Sequence, residues 1–135
     1  MVQQNVQWSL LIIRVVLGIT FFAHGLDKFQ GGLSNTAGFF ESIGIPAFLA
    51  YVVASIELVG GIALIIGLGT RIASALIGIV MIGAILKVKI GAGFLGGYEL
   101  DFVLLGMAIA LAVSGSSLYA VETKFTNSTE KAKAA

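Results

Sequence analysis

Apolar residues along this chain do not alternate with polar ones; they gather in four long runs separated by short polar or glycine-rich stretches. The first run extends from Trp8 to about Leu26 and is interrupted by Arg14 and His24. The second extends from about Pro46 to Gly67 and carries Glu57 near its middle. The third lies between Arg71 and Lys87, whose long side chains can snorkel to opposite interfaces. The fourth runs from about Phe102 to Val121 with no charge inside it. A bilayer is crossed by about 20 apolar residues, or about 30 Å of helix. The runs are too long for barrel strands and lack their period of two. The pattern therefore predicts an all-α fold, an integral membrane bundle of four transmembrane helices.

The connections add detail. Gly67-Leu68-Gly69-Thr70-Arg71 reads as a tight turn, making helices two and three an antiparallel hairpin. Between the first two spans, Phe39, Phe40 and Ile43 share one side of a segment from Asn35 to Ile43, which predicts a short interfacial helix. Pro46 suits the first turn of the second span. The stretch from Ile90 to Tyr98 reads as a glycine-rich loop at headgroup level. Residues 1–122 then form one transmembrane domain, and the polar stretch 123–135 is expected to be a disordered tail. Small residues recur at helical spacing: Ala50, Ala54 and Gly61, then Ser74 and Gly78, then Gly106, Ala110 and Ser114. Such stripes let helices approach closely. Packing within one protomer is the preferred reading, and a homodimer through one stripe the second.

Composition strengthens the membrane assignment. Of 135 residues, 58% are hydrophobic and only 11% charged, with a mean hydropathy of +1.03, too little charge to cover a soluble domain of this size. The bilayer is the expected partner. A formal net charge of +1 with no basic stripe excludes nucleic acid. The absence of cysteine excludes disulfides, iron–sulfur clusters and a thiol relay within the chain. One histidine excludes a bis-histidine haem, no metal site is expected, and no phosphate-binding loop supports a nucleotide. No Lys or Arg precedes the first run and no cleavage-site pattern follows it, so it is expected to be retained as a helix. Four spans place both termini and the 67–71 turn on one side with Arg71, Lys124, Lys131 and Lys133, against Lys28, Lys87 and Lys89 on the other. That bias favours cytoplasmic termini in a multi-pass protein of the cell (inner) membrane.

Ionisable groups inside spans are costly and point to function. Arg14 lies six residues beyond Trp8, about 9 Å into the bilayer if Trp8 marks the interface. Glu57 is the acidic residue expected at a similar depth, so the two are expected to pair. Glu57 shares a helix face with Ala50, Ala54 and Gly61 and should point into the bundle. Either a buried ion pair that fixes helix register or a proton-carrying, ligand-binding carboxylate fits it, and the first is the better-attested use. A second cluster gathers at the opposite end: His24, Asp27 and Lys28 close helix one, Lys87 and Lys89 close helix three, and Glu99 and Asp101 open helix four. The three lysines read as anchors of helix ends. His24 can exchange a proton near neutral pH. A histidine, a carboxylate and an ammonium at the mouth of an apolar bundle suit a small apolar ligand with a polar head, such as a quinone.

Arg14-x-x-x-Gly18, His24-Gly25-x-x-Lys28, Glu57-x-x-Gly60-Gly61 with Leu64, Gly67 and Thr70-Arg71, and Gly96-Gly97-Tyr98-Glu99-Leu100 follow one another in order. Together they resemble the DoxX family of small four-helix membrane proteins, from about Leu10 to Glu122, and bacterial members related to quinone and catechol stress most of all. The resemblance implies an inner-membrane protein described as an oxidoreductase or quinone-linked subunit. Two departures accompany it. Many relatives end in Gly-Pro-Gly-x-x-Ser-Leu-Asp where residues 115–122 here read GSSLYAVE, and a His common after the third helix is replaced near Lys89.

The sequence thus points to a DoxX-like membrane subunit linked to quinone or thiol redox chemistry, with a small apolar ligand inside the bundle. His24, Glu57 and Asp101 are the candidates for catalysis; Arg14, His24, Lys28, Tyr98 and Glu99 are the candidates for ligand binding. The alternative is a non-catalytic anchor or partner for a soluble redox enzyme.

Overall fold

A computed structural model describes residues 1–115 and 117–134. Among the described residues six α-helices follow one another: α1 (Val2–Gln30), α2 (Leu33–Ser42), α3 (Phe48–Ile66), α4 (Thr70–Ala84), α5 (Glu99–Ser114) and α6 (Val121–Ala134). A π-helical turn over Ile85–Lys89 and a 3-10 turn over Ile90–Ala92 prolong α4. Four helical stretches among the described residues are long and apolar enough to cross a membrane: Val2–Gln30, Phe48–Ile66, Thr70–Ala92 and Phe94–Ser114. The protein is an all-α integral membrane protein.

Glycines set the helix ends. Gly67 adopts the left-handed conformation (φ 74°, ψ 44°), and its N–H and that of Leu68 both donate to the Ala63 carbonyl. Gly69 is left-handed too (φ 59°), and its carbonyl accepts from Ala73 in the first turn of α4. Two such residues in three reverse the chain, so α3 and α4 form the expected hairpin. The fourth span differs from its expected limits. It begins earlier, because the loop expected over 90–98 winds into turns broken at Gly93, Leu95 and Gly96. It also ends earlier, at Gly115, whose φ of 67° and ψ of −157° suit only glycine.

Helices α1 and α3 approach until their backbones touch. A Cβ placed on Gly61 would lie 2.5 Å from the Phe22 amide nitrogen, and one on Gly25 would lie 2.5 Å from that of Leu58. One on Gly18 would lie 2.9 Å from the Gly61 carbonyl oxygen. Helices α4 and α5 form the second close pair. Leu17, Phe21 and Leu64 from the first pair meet Ile77, Met81, Leu104 and Leu111 from the second in one core. Ile12, Ile19, Val59, Ile72, Ile79 and Val103 are exposed on the outside, where lipid replaces water as their solvent. Two small-residue stripes serve the interior, with Ala50, Ala54 and Ser74 buried. The third does not: Gly106, Ala110 and Ser114 are exposed, and a Cβ on Gly106 meets nothing within 4 Å.

The polar end of the chain forms a helix. Residues 123–134 belong to α6, with Glu122 in its first turn and Lys131 and Lys133 in its last, charges that complement the helix dipole. Its start is tied to the hairpin turn: the Glu122 N–H donates to the Gly67 carbonyl at 3.1 Å, and the Glu122 carboxylate accepts from the Thr70 N–H at 3.4 Å. Ala135 lies outside the described residues.

Backbone contact at Gly61 leaves no room for a methyl group. Gly61→Ala is expected to lower stability by about 1–3 kcal/mol or more, whereas Gly106→Ala is expected to leave it unchanged or slightly raised. Thermal unfolding of both variants in the same detergent checks this, and equal losses would contradict the packing.

Candidate functional site

The register of α1 on α3 decides which charges meet. With Gly18 against Gly61 and Gly25 against Leu58, the two helices run antiparallel, and Lys28 comes level with the first half of α3. Its ammonium forms a 2.7 Å ion pair with Glu57 Oε2. The Glu57 side chain is 6% exposed and that of Lys28 23%. The expected Arg14–Glu57 pair is therefore not formed. Arg14 sits about ten residues from that level, roughly 15 Å along the helix, because the register of α1 on α3 sets it near Gly67 instead.

Arg14 instead holds the end of the bundle. Its Nη1 donates to the Leu118 carbonyl at 3.1 Å and its Nη2 to that of Tyr119 at 3.0 Å, and the Glu122 carboxylate supplies a nearby negative charge. A Cβ on Gly67 would come within 2.8 Å of Arg14 Nη1, so only glycine fits beside the buried guanidinium. Arg71 acts similarly, donating from Nη2 to the Ser114 carbonyl at the end of α5.

A second ion pair lies at the other end. The Asp101 side chain, 8% exposed, meets the Lys89 ammonium at 2.8 Å. Lys89 at the end of a span reads in the sequence as an interfacial anchor, and the structure makes it the partner of Asp101 instead. The signal available was Asp101 itself: a carboxylate buried at the start of a span needs a cation, and Lys87 and Lys89 close the neighbouring helix. The π turn over Ile85–Lys89 widens the helix, and Lys87, Val88 and Lys89 all face one cavity.

That cavity, about 930 Å³, opens between the α1–α3 pair and the α4–α5 pair, with α2 along one side. His24, Asp27 and Lys28 line it from α1, Asn35, Thr36, Phe39 and Phe40 from α2, and Val53, Ile56 and Glu57 from α3. Met81, Lys89, Asp101 and Leu104 complete it from the second pair. Its walls are mainly apolar and both ion pairs border it. His24 is exposed to the cavity side and packs its ring against Phe21, centroids 6.4 Å apart.

The structure thus brings His24, Lys28, Glu57 and Asp101 to one cavity and leaves three other candidates outside it. Arg14 is at the far end. The Glu99 carboxylate accepts from the Gly96 N–H at 3.1 Å in the turn before α5, and the Tyr98 ring packs edge-on against Phe94 at 5.5 Å. Asn35 and Thr36 were not singled out in the sequence, because nothing in α2 alone shows which way it faces. Among the described residues no group of three or more His, Asp or Glu side chains could hold a metal ion.

Comparison with known proteins agrees with this architecture. The profile of the DoxX family matches residues 9–90. The chain belongs to the DoxX family. It is 50% identical over 112 residues, 83% of each chain, to the protein named "Putative oxidoreductase CatD" of Bacillus subtilis (strain 168). It is 39% identical over 94 residues to "Uncharacterized membrane protein Rv3486" of Mycobacterium tuberculosis (strain ATCC 25618 / H37Rv), covering 65% of this chain and 58% of that one. No solved structure matches.

The DoxX motifs gain physical meaning from the geometry. Gly18, Gly25 and Gly61 are the backbone contacts of α1 with α3, Lys28 and Glu57 the ion pair those contacts align, and Arg14 and Gly67 the clamp on residues 118–122. The departure at 115–122 falls on the segment that Arg14 holds. The departure near Lys89 falls on the partner of Asp101.

Breaking one side of a buried ion pair costs about 3–5 kcal/mol; Lys28 keeps some solvent exposure, so Glu57→Gln should fall at or below the lower end. The double change Lys28→Met with Glu57→Gln is expected to recover much of that loss. Arg14→Met combined with Glu57→Gln is expected to be additive. Unfolding midpoints of the singles and doubles decide it, and coupling between Arg14 and Glu57 would overturn the pairing described here.

Proposed function

We propose that this DoxX protein is the ligand-binding membrane subunit of a quinone-linked redox system, and that the ligand occupies the cavity between the two helix pairs. The observation that carries the reading is the cavity itself: about 930 Å³ with mainly apolar walls, two ion pairs whose carboxylates are buried and a single histidine at its edge. Small-molecule sites combine such walls with a few placed polar groups. The name of the Bacillus relative, an oxidoreductase, favours redox chemistry over transport.

The chain's own residues have defined tasks under this reading. The apolar walls hold the ring. The imidazole of His24 donates to, or accepts from, a ligand oxygen and exchanges its proton with water at the cavity edge. Glu57 and Asp101 keep the two lysines in place, so that ammonium donors already stand where ligand oxygens arrive. Electrons come from a partner redox protein, since a chain without cysteine has no thiol relay of its own.

Binding of a quinone analogue to the detergent-solubilised protein tests the proposal. His24→Ala is expected to weaken it about tenfold, the value of a single hydrogen bond to a ligand, and to leave thermal stability nearly unchanged because His24 is exposed. Glu99→Gln, outside the cavity, is expected to bind as the parent does. No binding by the parent would transfer the case to the anchor reading, which the polar helix α6 beyond the spans favours as a handle for a soluble enzyme.

The same reading places the protein in the inner membrane with cytoplasmic termini. Arg14, level with the hairpin turn, joins Arg71 and the tail lysines on that side. Reporters after Ala135 and near Gly69 are expected on the cytoplasmic side, and those near Ser34 or Gly93 on the other; any other pattern contradicts the topology.

A further inference from the structure

The cavity has a polar pole on each helix pair. Lys28–Glu57 joins α1 to α3, and Lys89–Asp101 joins the π turn after α4 to α5. Both pairs border the cavity, which lies between those two helix pairs. In each the carboxylate is the more deeply buried partner, while the lysine side chains remain 23% and 39% exposed. An ammonium has three N–H donors, so a carboxylate contact leaves others to turn toward a ligand. Each pole is neutral as a pair. It therefore attracts a neutral hydrogen-bonding oxygen rather than a free anion, which would meet Glu57 or Asp101 alongside the lysine.

We infer that the ligand carries two polar oxygens on opposite edges of a flat apolar body, one edge facing Lys28–Glu57 and the other Lys89–Asp101. The inference rests on the ligand-binding reading above and narrows it to the 1,4-type of quinone or hydroquinone. A ligand with one polar edge, or with both oxygens adjacent, sets bare ring against the second pole and forgoes the hydrogen bond that its lysine can offer. A ligand with opposed oxygens satisfies both poles and bridges the helix pairs through Ile56 and Leu104, apolar residues on the two walls.

Three tricyclic compounds separate the outcomes. 9,10-Anthraquinone has its carbonyls on opposite edges, 9,10-phenanthrenequinone has the same atoms with the carbonyls adjacent, and 9-fluorenone has one carbonyl. Equilibrium binding to the unmodified protein, at matched detergent concentration, is expected to favour anthraquinone about tenfold over either of the others, as one additional hydrogen bond to a charged donor allows. Lys28→Met and Lys89→Met are each expected to cost anthraquinone about tenfold, while fluorenone responds to only one of them. If all three compounds bind equally, the two-pole inference falls and the ligand-binding reading stands. If none of them binds, the ligand-binding reading falls as well. The comparison on the unmodified protein decides the matter even where a lysine variant fails to fold.

Discussion

Backbone contact between α1 and α3 is the constraint on which the rest of the molecule depends. Helices in a bilayer gain nothing from burying apolar surface against each other, since lipid is equally apolar; they associate through close packing. Gly18, Gly25 and Gly61 permit contact at a distance that no side chain would allow. That contact fixes both the spacing and the register of the pair. Register in turn places Lys28 opposite Glu57 at one end and Arg14 beside Gly67 at the other.

The two arginines and two ion pairs then divide the work. At the hairpin end, Arg14 and Arg71 collect carbonyls left open where α5 stops at Gly115 and the chain turns back toward α6. There the guanidinium groups are turned to backbone carbonyls, with the Glu122 carboxylate near Arg14. At the α2 end the charges are paired with each other, and the two helix pairs stand apart around a cavity. Ionisable groups inside a membrane are kept at such cost where they serve a ligand or a partner, and it is on this asymmetry that the proposed ligand is assigned to the α2 end.

Much of this was legible in the sequence, for reasons that also explain what was not. Four spans, the hairpin at Gly67–Arg71 and a helix between the first two spans follow from apolar run length and turn glycines, which are local properties. The meeting of His24, Lys28 and Asp101 at one cavity followed from topology, because antiparallel spans bring those ends together. The partner of Glu57 did not follow, since it depends on how far α1 slides along α3. Lys89 was hidden by the π turn, which departs from regular helical spacing. Helix α6 was not read because its sequence is polar, and the groups that meet its first turn, Gly67 and Thr70, lie far away in the chain.

The central claim is that the cavity holds a ring compound, and the most direct test is native mass spectrometry of the protein extracted in mild detergent. A bound, non-phospholipid molecule of the quinone class that is retained by the parent protein and lost from Lys89→Met is the predicted result. A parent chain that carries only phospholipid, or a ring compound that survives loss of Lys89 unchanged, would contradict it.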